Sequence, residues 1–286
     1  MRQHVSGLTG GLVIAAAAIL LLTPIRAAEQ GPPKSASGWT PLRTADGMPD
    51  LQGYWDAAEY AKGERREAAF AADIEAHPPS DFRGAGLTLV VDPPDGKIPY
   101  LPAAAARRKA IQGPDYVYTS EIDPHVRCWR NGPPRAIYAP SGFQILQTPG
   151  YVIIAGEYSH NYRVIPTDGR PHLGKNIPLF IGDSRGHWEG DTLVVDTTNY
   201  NGKFWLDSAG NVTSPALHLV ERWAMINPDR IYYEATLEDP TMYARPWKMG
   251  FRFVRNKEAG YEQIEFACHE GERSLQNILD VTPDAK

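Results

Sequence analysis

The sequence predicts a mainly β protein, an antiparallel barrel or sandwich, with lipocalin-like closure as one option and a helical N-terminal extension. Three observations carry this. From Phe143 onward, apolar and β-branched runs alternate with Pro-Gly, Asp-Gly, Gly-Asp and Asn-Pro-Asp turn signals, giving about eight strands at the spacing of antiparallel meanders. No alternation of strands with helical patterns interrupts them, so a parallel α/β sheet is not expected. The 286 residues include 14 Tyr, 7 Trp and 8 Phe, which suits a β-rich core or an aromatic-lined pocket. With 42% hydrophobic residues the chain can bury a sizeable core. A net charge of −5 gives no general basic face for nucleic acid.

Three segments are expected: a signal peptide over 1–27, an N-terminal arm over 28–115 and the β domain over 116–286. Arg2 and His4 precede the apolar run Gly10–Leu22, and TPIRAA follows it. A basic start, a short apolar core and small residues at the cut describe a secretory signal ending at Ala27. The alternative is an uncleaved anchor, for which the run is short. The mature protein is therefore expected to be soluble and periplasmic or secreted. In the arm, residues 28–56 lack periodicity and read as extended. Trp55–Ala76 is rich in Ala, Glu and Arg and reads as a helix, stopped by His77-Pro78-Pro79. A short extended run and a Pro-Pro-Asp-Gly turn occupy 87–101. Pro102–Gln112 reads as a second helix with proline in its first turn.

In the β domain, FQILQT and YVIIAGEYSHNYRVI form a hairpin across Pro149-Gly150, the second run being one strand over 151–165. A turn at Glu189-Gly190-Asp191 precedes a β-branched strand. LHLVERWAMI and RIYYEATLE pair across Asn227-Pro228-Asp229, and WKMGFRFVR and YEQIEFACHE pair across 256–260. Two cysteines, Cys128 and Cys268, invite one disulfide in an oxidising compartment, tying the final strand to mid-chain. The alternative is two buried free thiols.

Gly182-Asp183-Ser184-Arg185-Gly186 spells the G-x-S-x-G of a nucleophile elbow, and Asp196 and His218 follow in α/β-hydrolase order. An elbow needs a helix after its serine. Here a glycine-centred turn and a strand follow, so Ser184 is not expected to be a nucleophile, and Gly182, Gly186 and Gly190 are expected to serve turns. No H-E-x-x-H, H-x-H or C-x-x-C occurs, so no metal is expected from spacing. No P-loop or dinucleotide fingerprint in a βαβ setting occurs, so no organic cofactor is expected.

Polar side chains on apolar strand faces remain. Leu217, Leu219, Glu221 and Trp223 share one face, taken as the interior. A carboxylate there either has a raised pKa suited to acid–base work or pairs with a cation, Arg163 being the obvious partner. Tyr158, His160 and Tyr162 share a face, and Glu157 and Arg163 the opposite one. His160 is a proton-transfer candidate or a packed histidine. Asp183 and His187 are expected on a loop at a sheet end, as pocket-rim groups or, for Asp183, as an Asx turn. His218 is a further acid–base candidate. Tyr158, Arg163, His187, Trp188, Tyr233, Tyr243 and Trp247 are candidate substrate-binding residues. Arg163 would stabilise developing negative charge, and the aromatic residues would either wall a pocket or plug the barrel.

The runs HWEGDTLVVDTTNYNG at 187–202, E-Y-x-H-x-x-R at 157–163, DGRPH at 168–172 and DPxxYxRPW at 239–247 together resemble a large family of secreted bacterial β-rich proteins, mostly of unassigned function. The resemblance covers roughly residues 40–270 on a motif set specific to that group. It implies a one-domain exported protein, with relatives in the breakdown of aromatic compounds at aryl-ether bonds. The expected function is a periplasmic hydrolase or lyase that cleaves a small aromatic substrate by acid–base catalysis. Its catalytic candidates are His160, Glu221, Asp183 and His218. The alternative is a lipocalin-like carrier of a small apolar ligand. A third, structural role in the envelope would call for a closed, filled barrel.

Overall fold

The fold is seen in a computed structural model that describes residues 39–57, 74–75, 89–112, 122–138, 142–158, 161–268, 270–271, 273 and 276. The segment 1–27, His160 and most of the helix expected over Trp55–Ala76 lie outside the described residues. The described chain is mainly β. Ten strands form one antiparallel, barrel-like sheet: β1 (Gly53–Ala57), β2 (Val90–Asp92), β3 (Phe143–Thr148), β4 (Tyr151–Gly156), β5 (Asn161–Pro166), β6 (Asp183–Glu189), β7 (Thr192–Thr198), β8 (His218–Asn227), β9 (Arg230–Glu238) and β10 (Trp247–Arg255). Their order is β5-β4-β3-β1-β10-β9-β8-β7-β6, with β2 also pairing β10. Helix α1 (Pro102–Ile111) starts at a proline as expected, and α2 (Arg135–Tyr138) is a single turn.

Alternation explains the strands. Leu219, Glu221 and Trp223 of β8, Tyr233, Ala235 and Leu237 of β9, and Met249, Phe251 and Phe253 of β10 are all fully buried on the inner face, the period of two that a half-buried sheet requires. Their rings fill the interior. Ring centroids lie 4.8 Å apart for Phe143 and Phe253, 4.8 Å for Trp223 and Tyr233, and 4.9 Å for Tyr233 and Phe251, in the range of favourable aromatic pairs.

The two sheet edges, β5 and β6, come together without a ladder between them among the described residues. This seam is narrow because Gly186 on β6 has no side chain. A Cβ there would stand 2.9 Å from Thr167 Cγ2 and 3.0 Å from Ile165 Cγ2.

Several expectations change. Trp55–Ala57 are strand, not helix: β1 lies between β3 and β10, and burial of Trp55 outweighs the helical propensity of the run that follows. The 28–115 segment thus supplies a central strand and β2 rather than only an arm packed on the barrel. The single strand 151–165 is two, β4 and β5, paired from Gly156↔Asn161 to Tyr151↔Pro166. Asp183 and His187 sit in strand β6, not in a loop. Gly182 and Gly190 take left-handed φ of +74° and +59°, as turns demand. Gly186 does not, and serves close approach instead. Tyr261–Cys268 forms no strand with β10, because both edges of β10 are taken by β9, β1 and β2. Cys128 and Cys268 do form the disulfide, with Cα atoms 5.6 Å apart across 140 residues. Cys268 therefore ties an irregular C-terminal segment, not a final strand, to mid-chain.

Candidate functional site

Glu221 and Arg163 meet inside the barrel. Glu221 has no exposure, because its phase on β8 points it between Leu219 and Trp223. Arg163 donates from Nη2 to Glu221 Oε2 and to Thr197 Oγ1 at 2.7 Å, and from Nε to Ser184 Oγ at 2.8 Å. Tyr233 donates to Glu221 Oε1 at 3.0 Å. Burial and the Glu221 charge hold the Tyr233 phenol well above its ordinary pKa, so it stays a donor. Burial works against the Arg163 charge, but Glu221 more than offsets it. Both carboxylate oxygens are occupied out of reach of solvent. This is the buried ion pair, and it staples β5 to β6, β7 and β8 where no ladder does. Ser184 is held in the same network and is buried, its hydroxyl bonded to Arg163 and Thr197.

A second cluster lies on the outer face of the same strands. His172, from the β5–β6 loop, places Nδ1 2.9 Å from Asp183 Oδ2 and Nε2 3.1 Å from Asp196 Oδ1. Asp196 Oδ2 lies 2.8 Å from His218 Nε2, and His218 Nδ1 is 3.8 Å from Glu238. Arg185 Nη1 donates to Asp183 Oδ1 at 2.6 Å. The hydrogen bond from Asp196 raises the His218 pKa against an opposing effect of burial. Burial alone would raise Asp196, but its bonds and charge contacts with His218 and His172 leave it lowered. Asp183 and His218 are thus linked through His172 and Asp196, which anchor the loop that bridges the seam.

The third group lies at the end of the sheet where β1 and β10 finish and β9 begins. Asp56 and Arg230 both stand directly opposite Val254, so the three side chains share the outer face in a row roughly 10 Å wide. Asp56, Val254 and Arg230 line a cleft of about 710 Å³ together with the Asn227–Asp229 turn and the 255–258 segment, a size suited to a small molecule. On the other side of Asp56 comes Gly142. Its missing side chain makes room: a Cβ there would stand 2.6 Å from Asp56 Oδ1 and 3.1 Å from the Tyr261 hydroxyl. Tyr261 donates to Glu157 Oε2 at 3.0 Å and packs edge-on against Tyr54, with ring centroids 5.1 Å apart. Tyr54 shares the face of Asp56. Burial first, then the charges of Glu157 and Glu258, push Asp56 up to about 6, against a hydrogen bond with Asn256. A half-buried carboxyl that titrates near neutrality on the wall of a cleft can give or take a proton.

The remaining candidates are dispersed. Tyr158 is stacked between His125 and Phe266, with centroids 4.3 and 4.4 Å away. Tyr233, Tyr243 and Trp247 are core residues, the last two packed edge-to-face at 5.7 Å. Trp188 packs partly buried against the core, and His187 is exposed beside Glu189, 3.1 Å away. Among the described residues, no group of three or more His, Cys, Asp or Glu side chains is arranged to hold a metal ion, and no helix is long and apolar enough to cross a membrane.

Asp56, Tyr261 and Arg230 carry no signal in the sequence, since a lone aspartate in a Pro- and Gly-rich arm looks like any surface residue. Only Glu157 belongs to one of the motifs, and His172 and Asp196 to two others. No family model and no curated protein matches the chain.

Proposed function

We propose that the protein is an exported acid–base enzyme that cleaves a carbon–oxygen bond of a small aromatic substrate in the cleft of Asp56. The observation that carries this is the Asp56 carboxyl, pushed up to about 6 on a cleft wall beside Glu157 and Tyr261. In its protonated form Asp56 acts as the general acid and gives its proton to the ether oxygen as the carbon–oxygen bond breaks. Water then adds to carbon in hydrolysis, or a neighbouring carbon loses a proton in elimination, and in either case the Asp56 carboxylate takes up the proton released. The phenol leaves neutral, and Arg230 on the opposite wall balances the negative charge that develops on its oxygen. The aromatic substrate class rests on the motif resemblance, and so does membership of that exported family. The Cys128–Cys268 disulfide supports an oxidising compartment.

The test is turnover of a panel of aryl ethers and esters by the purified protein, with products followed by mass spectrometry. Asp56→Asn is expected to lower the rate about 10²–10⁴-fold while the far-UV circular dichroism stays the same. Full activity in Asp56→Asn would refute the assignment. A ligand from the panel that binds and is never converted would instead support the carrier.

A further inference from the structure

Arg255 is a half-buried cation on the wall of the Asp56 cleft, and it is held there rigidly. Its guanidinium lies over the Trp55 ring, 4.2 Å from the centroid. Nε donates to the Pro228 carbonyl at 3.0 Å and Nη1 to the Gln52 carbonyl at 2.6 Å. Gly53 makes room for the second bond, since a Cβ there would collide with Nη1. Pro228, which holds Nε, lines the same cleft. Both acceptors are neutral, so the charge is pinned without being compensated. Burial accordingly lowers the Arg255 pKa, and the charges of Asp50 and Asp229 oppose this without restoring it.

The other cations of the cleft are differently placed. Lys257 pairs with Asp229 at 2.6 Å, and Arg230 stands across Val254 from Asp56. With Asp56 protonated, as a general acid requires, the lining carries Arg230, Arg255 and Lys257 against Asp229 and Glu258. Three cations against two carboxylates leave one positive charge, which a single negative charge on a ligand cancels. A dianion would overshoot it. Nη2 is the Arg255 nitrogen that neither carbonyl uses, and its bond to a carboxylate oxygen would be of the strong, charge-assisted kind. Because Trp55 and two carbonyls already fix the side chain, little rotamer freedom is left to lose on binding. We propose that Arg255 seats a carboxylate in this cleft, which narrows the substrate to an aryl ether that also carries one carboxyl group. The ether and the part of Asp56 rest on the function proposed above, whereas the anion site rests on Arg255.

The experiment is calorimetric titration of the whole protein with phenoxyacetate and 4-phenoxybenzoate, each beside its neutral primary amide. It is run at about pH 5, where Asp56 is protonated and both acids are ionised. Each acid is expected to bind about 10–100-fold more tightly than its amide. Arg255→Gln is expected to remove that preference and leave the amides bound as before. Equal binding of acid and amide by the wild type, binding of neither, or a preference that survives in folded Arg255→Gln overturns the proposal. If that variant does not fold, a crystal of the wild-type phenoxyacetate complex decides. A carboxylate oxygen within about 3 Å of Arg255 Nη2 supports the site, and a carboxylate bound elsewhere overturns it. Conversion is followed separately. Acids that bind through Arg255 and are never converted leave this site standing and count against Asp56 as the acid. Neutral aryl ethers turned over as fast as the acids, with Asp56→Asn inactive, keep the function and overturn the carboxylate site.

Discussion

Asp56 is set apart from other surface carboxyls by its neighbours in the sheet. Gly142 on one side admits Tyr261 and Glu157, and Val254 on the other offers no counter-charge. The result is a group held about two pH units above its ordinary value of 3.8. The consequence for stability has a definite sign. A raised carboxyl favours the fold fully below about 3.8, and that contribution is lost as pH rises through about 6. After allowing for solvent screening of a half-buried group, the loss is about 1 kcal/mol. Asp56→Asn is therefore expected to melt a few degrees higher than wild type at pH 7.5 and at about the same temperature at pH 4. A group that is costly to the fold and needed for turnover is the usual mark of a functional site. If Asp56 is the general acid, log kcat/KM falls with pH above about 6. A profile flat from pH 5 to 8 would remove it from that role. His218 shifts upward beside Asp196. Its contribution is present in full below its ordinary value of 6.5 and is lost as pH rises through the higher folded value. Melting curves of His218→Asn should accordingly lose part of the wild-type decline above pH 6.5, an effect of at most about 1 kcal/mol for so exposed a pair.

Among the elements, the β5–β6 seam is the least conventional. Everywhere else adjacent strands share backbone ladders, whereas here side chains make the connection: Arg163 from β5, Ser184 from β6, Thr197 from β7 and Glu221 from β8. Close approach at Gly186 is part of that connection. Gly186→Ala would press a methyl against Ile165 and Thr167, and overpacking of this kind costs about 1–3 kcal/mol. Thermal unfolding should report the loss, and amide exchange should rise first in β5 and β6. Unchanged stability would mean that the seam is looser than this geometry. The pattern L-H-L-V-E-R-W already placed Glu221 inside with Leu219 and Trp223, and Arg163 was its natural partner. Which of the two roles open to Glu221 it fills depended on tertiary structure, because only the fold shows both of its oxygens taken.

At the scale of the whole molecule, the Cys128–Cys268 link closes a 140-residue span. On the chain-entropy account its removal costs about 5 kcal/mol, mostly by freeing the unfolded chain. Cys128→Ala/Cys268→Ala should melt about ten degrees lower than the oxidised wild type, and a reducing agent should reproduce this in the wild type alone. A double variant as stable as wild type would show that β-sheet packing suffices to hold the C-terminal segment. Most of the strand meander from β3 to β10 was legible because side-chain alternation and turn residues are local signals, read within about ten residues, but strand β6 and the break between β4 and β5 were not. Also legible were α1, with its proline start, and the exclusion of the elbow at Ser184, where a strand follows the serine.

By itself the sequence determined the fold class, the inward face of β8 and the pairing option of the two cysteines, since each depends on local periodicity or on a simple count. Tertiary structure alone decided the rest. The strand order sends Trp55 into the sheet between β3 and β10 despite its helix-like surroundings. It sets Asp56 against Glu157, about 100 residues away in the chain. It also spends His172 and Asp183 on anchoring a loop. A carboxyl's pKa depends on which charges and how much solvent lie within a few ångströms, and in an antiparallel sheet those neighbours come from distant parts of the chain.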